Sequence, residues 1–437
     1  MLNKLMSNLR RNCFFFLDYL QGGIIKKSYE TIKKIDSLDS NSKELKKHQN
    51  LALEKLLKHS VDTVEFYAHI KSNELSVFPV INKDTIRSQQ DNFISKLYNK
   101  KELKIMHTSG STGIPFCCYQ NKEKRKKLIT ELIFYSEKAG YTLGNPLIQV
   151  RGNNPYTQRS KLRCWINNQK LILINNYCDQ NIKRILHNIK SNSESTLLGY
   201  STTYDSLKEY FDKNGVPIID KGNVKGIISN GQMLFDDTRE SMEETFNCKC
   251  YSRYSNEENG ILGIDGIENN TFLLNEAHYI LEILKIDSDE PAKLEELGRI
   301  VLTDLYNYAM PFIRYDTGDI GSFKFIEVDG VFKRAICNFS GRKLDLIRDS
   351  NGNIIYPHVI AQYFKDFSEI KQFQIIQESK YQYTLKINTN ENFTDEIKLK
   401  TIFRKHLGKD THITIKRVEE VPILSSGKRK MMINLTS

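Results

Sequence analysis

The chain has 437 residues, 39% of them hydrophobic and 27% charged, with Gly 23 and Pro 9. This composition excludes collagen-like, low-complexity and disordered chains, and at about 150 residues per domain it implies two or three folded units. Lys+Arg 64 against Asp+Glu 53 leaves a formal charge of +11, which favours anionic partners. The basic excess is spread along the whole chain, however, and no zinc-finger or aromatic RNA-binding signature accompanies it, so nucleic acid is not the expected partner.

The N-terminal stretch places Arg10 and Arg11 before Cys13-Phe14-Phe15-Phe16-Leu17, but Asp18 ends the apolar run. The run is too short for a signal peptide. No stretch in the chain has the apolar length of a transmembrane helix. Two readings of this segment stay open: an amphipathic helix packed on the body, or peripheral contact with a membrane surface. The eight cysteines (Cys13, Cys117, Cys118, Cys164, Cys178, Cys248, Cys250 and Cys337) include no C-x-x-C pair. A zinc knuckle or a disulfide framework is therefore not expected, and a reducing, cytoplasmic location is.

Residues 1–100 read as mainly helical, with Leu45, Leu51, Leu53, Leu56 and Leu57 at helical spacing among lysines. Phe78-Pro79-Val80-Ile81 reads as an extended connector, since the residue before proline avoids the helical region. From Ile105 to about Ser340, short apolar runs such as 147–150, 226–229, 282–286 and 299–303 alternate with polar helical segments such as 205–214 and 236–246. That alternation predicts an α/β body with buried strands. Beyond Gly341-Arg342 the texture changes. A strand, a helix over 358–367, strands over 372–377 and 383–388, a helix over 395–407 and a strand over 413–418 make a small α+β unit.

The strongest local signal is His107-Thr108-Ser109-Gly110-Ser111-Thr112-Gly113-Ile114-Pro115, which follows the apolar Ile105-Met106. Glycines let backbone N–H groups converge on an anion and hydroxyls add donors, so the segment is a phosphate cradle by composition. Its spacing fits neither a Walker A loop nor a nucleophile elbow. Four further segments follow in order: Tyr254-Ser255-Asn256-Glu257-Glu258, Arg314-Tyr315-Asp316-Thr317-Gly318-Asp319, Gly341-Arg342-Lys343-Leu344-Asp345 and Ser425-Ser426-Gly427-Lys428.

Together the five segments resemble the adenylate-forming superfamily of acyl-CoA synthetases, luciferases and peptide-synthetase adenylation domains. The overall length and short N-terminus look like the phenylacetate–CoA ligase branch. The Phe-rich N-terminus, Leu198-Gly199-Tyr200-Ser201-Thr202 and the run from Leu305 to Tyr315 look like its capsule-polysaccharide-associated members. The resemblance implies a large N-terminal α/β adenylation domain with buried sheets, residues 1–341, and a small mobile C-terminal α+β lid, residues 342–437.

It also implies ATP-dependent conversion of a small carboxylic acid to an acyl-adenylate with release of pyrophosphate. Transfer to coenzyme A would follow; transfer to a sugar or carrier, and a catalytically inactive nucleotide-binding relative, are the alternatives. Thr108, Ser109, Gly110, Ser111, Thr112 and Gly113 would hold the β- and γ-phosphates. Asn230-Gly231-Gln232 would line the adenine and Tyr254 stack on it. Glu258 would ligate Mg²⁺, Asp319 take the ribose hydroxyls, Arg342 bind near ribose or phosphate, and Lys428 drive adenylation. Lys428, Glu258 and Thr108 are thus the expected catalytic residues.

The pattern departs from the family at five points. Ile114 stands where many members carry lysine, Ser255 replaces a glycine, Glu257 replaces a Thr or Ser, Leu344 stands at a usually polar hinge, and Gln232 stands where Glu is frequent. Outside the motifs, Lys122 to Lys127 reads as a solvated helix face. His278 reads as structural or substrate-facing, Trp165 as packing, and Tyr135, Tyr141, Tyr200 and Tyr204 as lining an acid pocket.

Overall fold

A computed structural model describes residues 2–108, 116–153, 159–220, 222–342, 346–355, 357–364, 367, 369–390, 393–422 and 429–436. The chain divides into two compact units: residues 1–317 with 321–339, and residues 318–320 with 340–437.

The larger unit opens with helices α1 (Leu2–Leu20), α2 (Ile24–Asp36), α3 (Lys43–Thr63) and α4 (Lys83–Ser88). Ser42 starts α3 by accepting from the Leu45 amide, and Asn82 starts α4 by accepting from the Asp84 and Thr85 amides. These side-chain oxygens satisfy amides that have no partner within the helix. Strands β1 (Lys104–Thr108) and β2 (Phe116–Gln120) form an antiparallel hairpin in which Thr108 pairs with Phe116. The body follows as α5 (Lys122–Lys138), β3 (Leu147–Gly152), α6 (Lys161–Ile166), β4 (Gln169–Ile174), α7 (Asp179–Lys190), β5 (Ser195–Tyr200), α8 (Ser201–Asn214), β6 (Val224–Asn230), α9 (Asp236–Phe246) and β7 (Cys250–Asn256). The remaining strands are β8 (Gly260–Ile264), β9 (Phe272–Leu274), β10 (Tyr279–Leu284), β11 (Gly298–Asp304), β12 (Tyr315–Val328) and β13 (Val331–Arg342).

One sheet collects most of these strands in the order β10-β11-β12-β13-β9-β8-β7-β6-β5-β3-β4. From β4 to β7 the neighbours are parallel, and from β7 to β9 antiparallel. Nearly every residue of the central parallel strands β5 and β6 is buried, and helices α7, α8 and α9 pack on a core of Ile148, Ile172, Leu197, Ile227, Leu207 and Met242. Strands buried on both faces have no solvent side to mark with polar residues. A second core, containing Phe93, Phe116, Tyr254, Phe312 and Tyr315, joins the N-terminal helices to the antiparallel half of the sheet.

The smaller unit carries β14 (Ile347–Arg348), β15 (Ile354–Ile355), α10 (Pro357–Phe364), β16 (Ile370–Ser379), β17 (Gln382–Thr389), α11 (Glu396–Leu407), β18 (His412–Arg417) and β19 (Met432–Asn434). Its sheet runs β18-β17-β16-β19, with β16 and β17 a hairpin and the two outer pairings parallel. Phe364, Phe403, Leu399 and Ile360 pack with Ile375 and Leu385 in its core.

The structure bears out the α/β reading and the alternating strands and helices. It corrects three side-chain readings. Lys124 is fully buried and paired with Asp304 at 2.6 Å, and Lys127 lies over the Tyr306 ring at 3.6 Å, so part of the 122–127 face is not solvated. Burial lowers Lys127 to a pKa of about 8. Tyr135, Tyr141 and Tyr204 are buried core residues, Tyr204 donating to the Ile228 carbonyl at 2.9 Å, so their rings serve packing. Trp165 does not pack inside: it is 66% exposed.

Candidate functional site

The carboxyl ends of parallel strands are where α/β sheets bind ligands. Here β5, β6 and β7 bring Tyr200 opposite Asn230 and Asn230 opposite Arg253, so Asn230 and Tyr254 sit on adjacent strands at that end. Gly231 follows with φ 80°, a left-handed conformation that glycine adopts without strain. Tyr254 is buried. Its ring lies 4.7 Å from Phe339 and 6.0 Å from Phe272, and its hydroxyl is 3.4 Å from Thr317 Oγ1. Ser255 falls at a register shift between β7 and β8, where the bulge accommodates a side chain in place of glycine.

The turn between β7 and β8 carries Glu258, whose side chain is 2% exposed. A buried carboxylate needs partners; two elements supply them, and a third holds the residue's backbone. Tyr315, at the start of β12, donates its hydroxyl to Glu258 Oε1 at 2.7 Å. Lys83, at the start of α4, places Nζ 3.0 Å from the same oxygen. Gln120, at the end of β2, donates Nε2 to the Glu258 carbonyl at 2.9 Å.

Lys83 and Tyr315 are brought there together. Ile81 bridges to Tyr315, its amide donating to the Arg314 carbonyl and its carbonyl accepting from the Asp316 amide. Lys83 Nζ is also 5.8 Å from the centre of the Phe116 ring, and Phe116 is the first residue of β2, paired with Thr108. Glu258 is therefore tied to the hairpin that brackets residues 109–115. Neighbouring Glu257 is 53% exposed and faces Arg151 Nη2 at 3.7 Å, so an arginine neutralises this second carboxylate.

Behind the turn lies a buried polar network. Tyr279 donates its hydroxyl to the Asn259 carbonyl at 2.5 Å and lies 2.8 Å from Glu131 Oε1. Glu131 Oε2 accepts from the Ile261 amide at 2.9 Å, and His278 Nδ1 lies 2.7 Å from Glu131 Oε1. Lys124 Nζ reaches the Tyr279 hydroxyl at 3.1 Å. Burial raises Glu131 to a pKa of about 7 and holds His278 well below its usual value, so His278 is a neutral core residue. Gly260 has φ 125°, and a Cβ there would stand 2.3 Å from Glu131 Oε2. Only glycine fits between the turn and the network.

Of the other predicted residues, Thr108 closes β1 opposite Phe116. Asp319 lies in β12 and Arg342 ends β13, both in stretches grouped with the smaller unit. Ser109, Gly110, Ser111, Thr112, Gly113, Ile114, Leu344 and Lys428 lie outside the described residues. Sequence reasoning missed Lys83, Gln120 and Tyr315 as neighbours of Glu258. The one cue was Tyr315, which stands inside the Arg314–Asp319 motif without being given a role.

Among the described residues no group of three or more His, Cys, Asp or Glu is placed to hold a metal ion alone. The site offers one buried carboxylate. That fits magnesium, which dehydrates reluctantly and uses one or two carboxylates with water and substrate phosphates.

Comparison with known proteins gives concordant results. The profile of the CapK C-terminal domain matches residues 347–435. No curated protein matches the sequence. Among solved structures, 2-hydroxyisobutyryl-CoA ligase in the postadenylation state, in complex with R3-HIB-AMP, is 14% identical, covers 89% of each chain and superposes with a TM-score of 0.71. ATP-bound MatB from Rhodopseudomonas palustris is 14% identical over 77% of this chain and 68% of its own, with a TM-score of 0.56. The anthranilate CoA ligase AuaEII with anthranoyl-AMP is 14% identical over 79% and 68%, with a TM-score of 0.53. The chain thus shares their fold.

Proposed function

We propose that this chain, which has the fold of adenylate-forming ligases and a C-terminal stretch matching the CapK C-terminal domain, activates a carboxylic acid with ATP. One substrate carboxylate oxygen attacks the α-phosphorus, the bond to the bridging oxygen breaks, and pyrophosphate leaves. The acyl-adenylate then passes its acyl group to a thiol, most simply that of coenzyme A, and releases AMP.

The observation that carries this reading is the setting of Glu258. It is a buried carboxylate at the carboxyl edge of the sheet, fixed by Tyr315 and Gln120 and facing Lys83 beside the phosphate-loop hairpin. In this reading Glu258 holds magnesium, which when bound supplies charge neutralisation at the phosphates. Lys83 supplies a fixed positive charge beside Glu258, and the sequence has isoleucine at position 114, where many adenylate-forming enzymes carry lysine. Joining a carboxylate to a triphosphate brings like charges together, and preorganised cations lower that barrier. Lys428 is assigned the second cation. Tyr254 and the Asn230-Gly231-Gln232 segment are assigned to adenine, Asp319 to the ribose, and Arg342 to ribose or phosphate.

A pyrophosphate-release assay over a panel of carboxylic acids tests the activation step. Supplying coenzyme A and amino sugars in parallel, with products read by mass spectrometry, then separates the thioester reading from acyl transfer to a sugar. Nucleotide binding without acid-dependent pyrophosphate release for any acid would instead indicate an inactive relative.

A further inference from the structure

Helix α1 is inverted in its amphipathicity. At 3.6 residues per turn Leu5, Leu9, Phe16 and Leu20 share one face, and that face points to solvent, with Leu5 66% and Phe16 61% exposed. The inward side carries half-buried Phe14, but its fully buried positions, Ser7 and Asp18, are polar. Ser7 is buried, its carbonyl 2.3 Å from where a Cβ on Gly144 would stand. Asp18 is buried and accepts from the Ile25 and Lys26 amides at 3.1 and 2.9 Å. The helix is therefore fastened by its polar side and turns its apolar side outward, against the ordinary pattern of surface helices.

A second, independent feature lies beside it. At the β4 edge of the sheet a pocket of about 580 Å³ is lined by Arg10 of α1, by Arg159, Lys161 and Lys170, and by the exposed Trp165. None of its lining residues is acidic. Burial and the neighbouring guanidiniums of Arg151 and Arg163 lower the pKa of Arg159, which marks a cationic cluster short of counter-charge. Helix α6 adds Leu162 and Ile166, both more than half exposed.

We propose that this face, α1 with α6 and the cationic pocket, docks the protein on an anionic lipid bilayer. The apolar stripe enters the boundary between headgroups and acyl chains, the four cations meet lipid phosphates, and Trp165 sits at the interface where indoles are favoured. A second copy of the chain is a poor occupant. A two-fold contact sets a patch against itself, and here that would oppose the Arg10, Arg159, Lys161 and Lys170 cations to their own duplicates.

The chain has a single tryptophan, so the full-length protein reports its own docking. Flotation and Trp165 fluorescence are measured with phosphatidylcholine vesicles, with and without phosphatidylglycerol. The expected result is flotation and a blue-shifted emission only with phosphatidylglycerol, both weakened by salt. Two variants are run separately, Leu9→Glu with Phe16→Glu, and Lys161→Glu with Lys170→Glu. Each is expected to lower vesicle affinity by about tenfold or more with an unchanged melting temperature. No flotation, equal partition to both vesicle types, full affinity in folded variants, or a dimer in solution that Leu9→Glu abolishes would each overturn the proposal.

Discussion

Lys83 Nζ lies 3.0 Å from Glu258 Oε1, although the two positions are far apart in the sequence. Lys83 is a third exposed while Glu258 is almost fully buried, so the cation spans from solvent to a carboxylate that has little water of its own. Replacing Lys83 with Met removes a fixed positive charge from beside Glu258. Losses of one preorganised donor commonly cost about 10²–10³ in rate. We expect acid-dependent ATP–pyrophosphate exchange to fall by about 10²-fold in Lys83→Met, with arginine at the same position restoring part of it. Wild-type exchange in a folded Lys83→Met protein would remove Lys83 from the account.

Tyr315→Phe deletes one hydroxyl and leaves the ring packed against Phe312 at 4.9 Å. Its partner is a charged oxygen, and hydrogen bonds to charged groups contribute about 1.5–3 kcal/mol. The expected result is a lower melting temperature and a higher magnesium concentration for half-maximal pyrophosphate release. A magnesium titration on the purified variant checks it, and an unchanged midpoint would separate Tyr315 from metal binding.

The network beneath the turn gives a pH signature. Burial raises the Glu131 carboxyl from 4.5 to about 7. A group with a raised folded-state pKa contributes stability that is fully present below its unfolded pKa and is lost as pH rises through the folded one. Glu131→Gln cannot ionise. The stability of this variant relative to wild type is expected to improve between pH 5 and pH 8, by up to roughly 3 kcal/mol for two to three pKa units. Denaturant melts across that range measure the difference, and a flat difference would show that Glu131 ionises as readily folded as unfolded.

Gly260→Ala puts a Cβ 2.3 Å from Glu131 Oε2 and 2.4 Å from Leu128 Cδ2, at a φ of 125°. Neither neighbour can retreat inside a filled core. We expect a loss of about 1–3 kcal/mol or more, together with weaker nucleotide binding as the Glu258 turn shifts. Thermal melting read beside ATP titration checks both. A wild-type melt would mean that the network yields.

Much of the fold was legible because local periodicity survived in it. The helix expected over 236–246 is α9 to the residue, and the strands expected over 147–150 and 226–229 are the first four residues of β3 and the centre of β6. Apolar runs of strand length between polar helices have few other solutions. What was not legible depended on partners distant in sequence. Nothing in the spacing of Lys83 links it to Glu258; the link exists because Ile81 bridges to Tyr315. Lys124 reads as one more charge in a basic run and is buried only because Asp304 comes from β11 to meet it. Helix α1 shows its apolar stripe plainly in sequence, but periodicity does not say which face the body takes. Ser7 and Asp18 took that place through backbone contacts.

The central claim is that Glu258 and Lys428 serve one reaction, the attack of a carboxylate on the α-phosphate of ATP. Its most direct test is acid-dependent ATP–pyrophosphate exchange in wild type, Glu258→Gln and Lys428→Ala, on proteins shown to be folded. Exchange with at least one acid is expected for wild type, with a fall of about 10²–10³ in each variant. Wild-type exchange in Lys428→Ala, or ATP binding with no exchange for any acid, would contradict it.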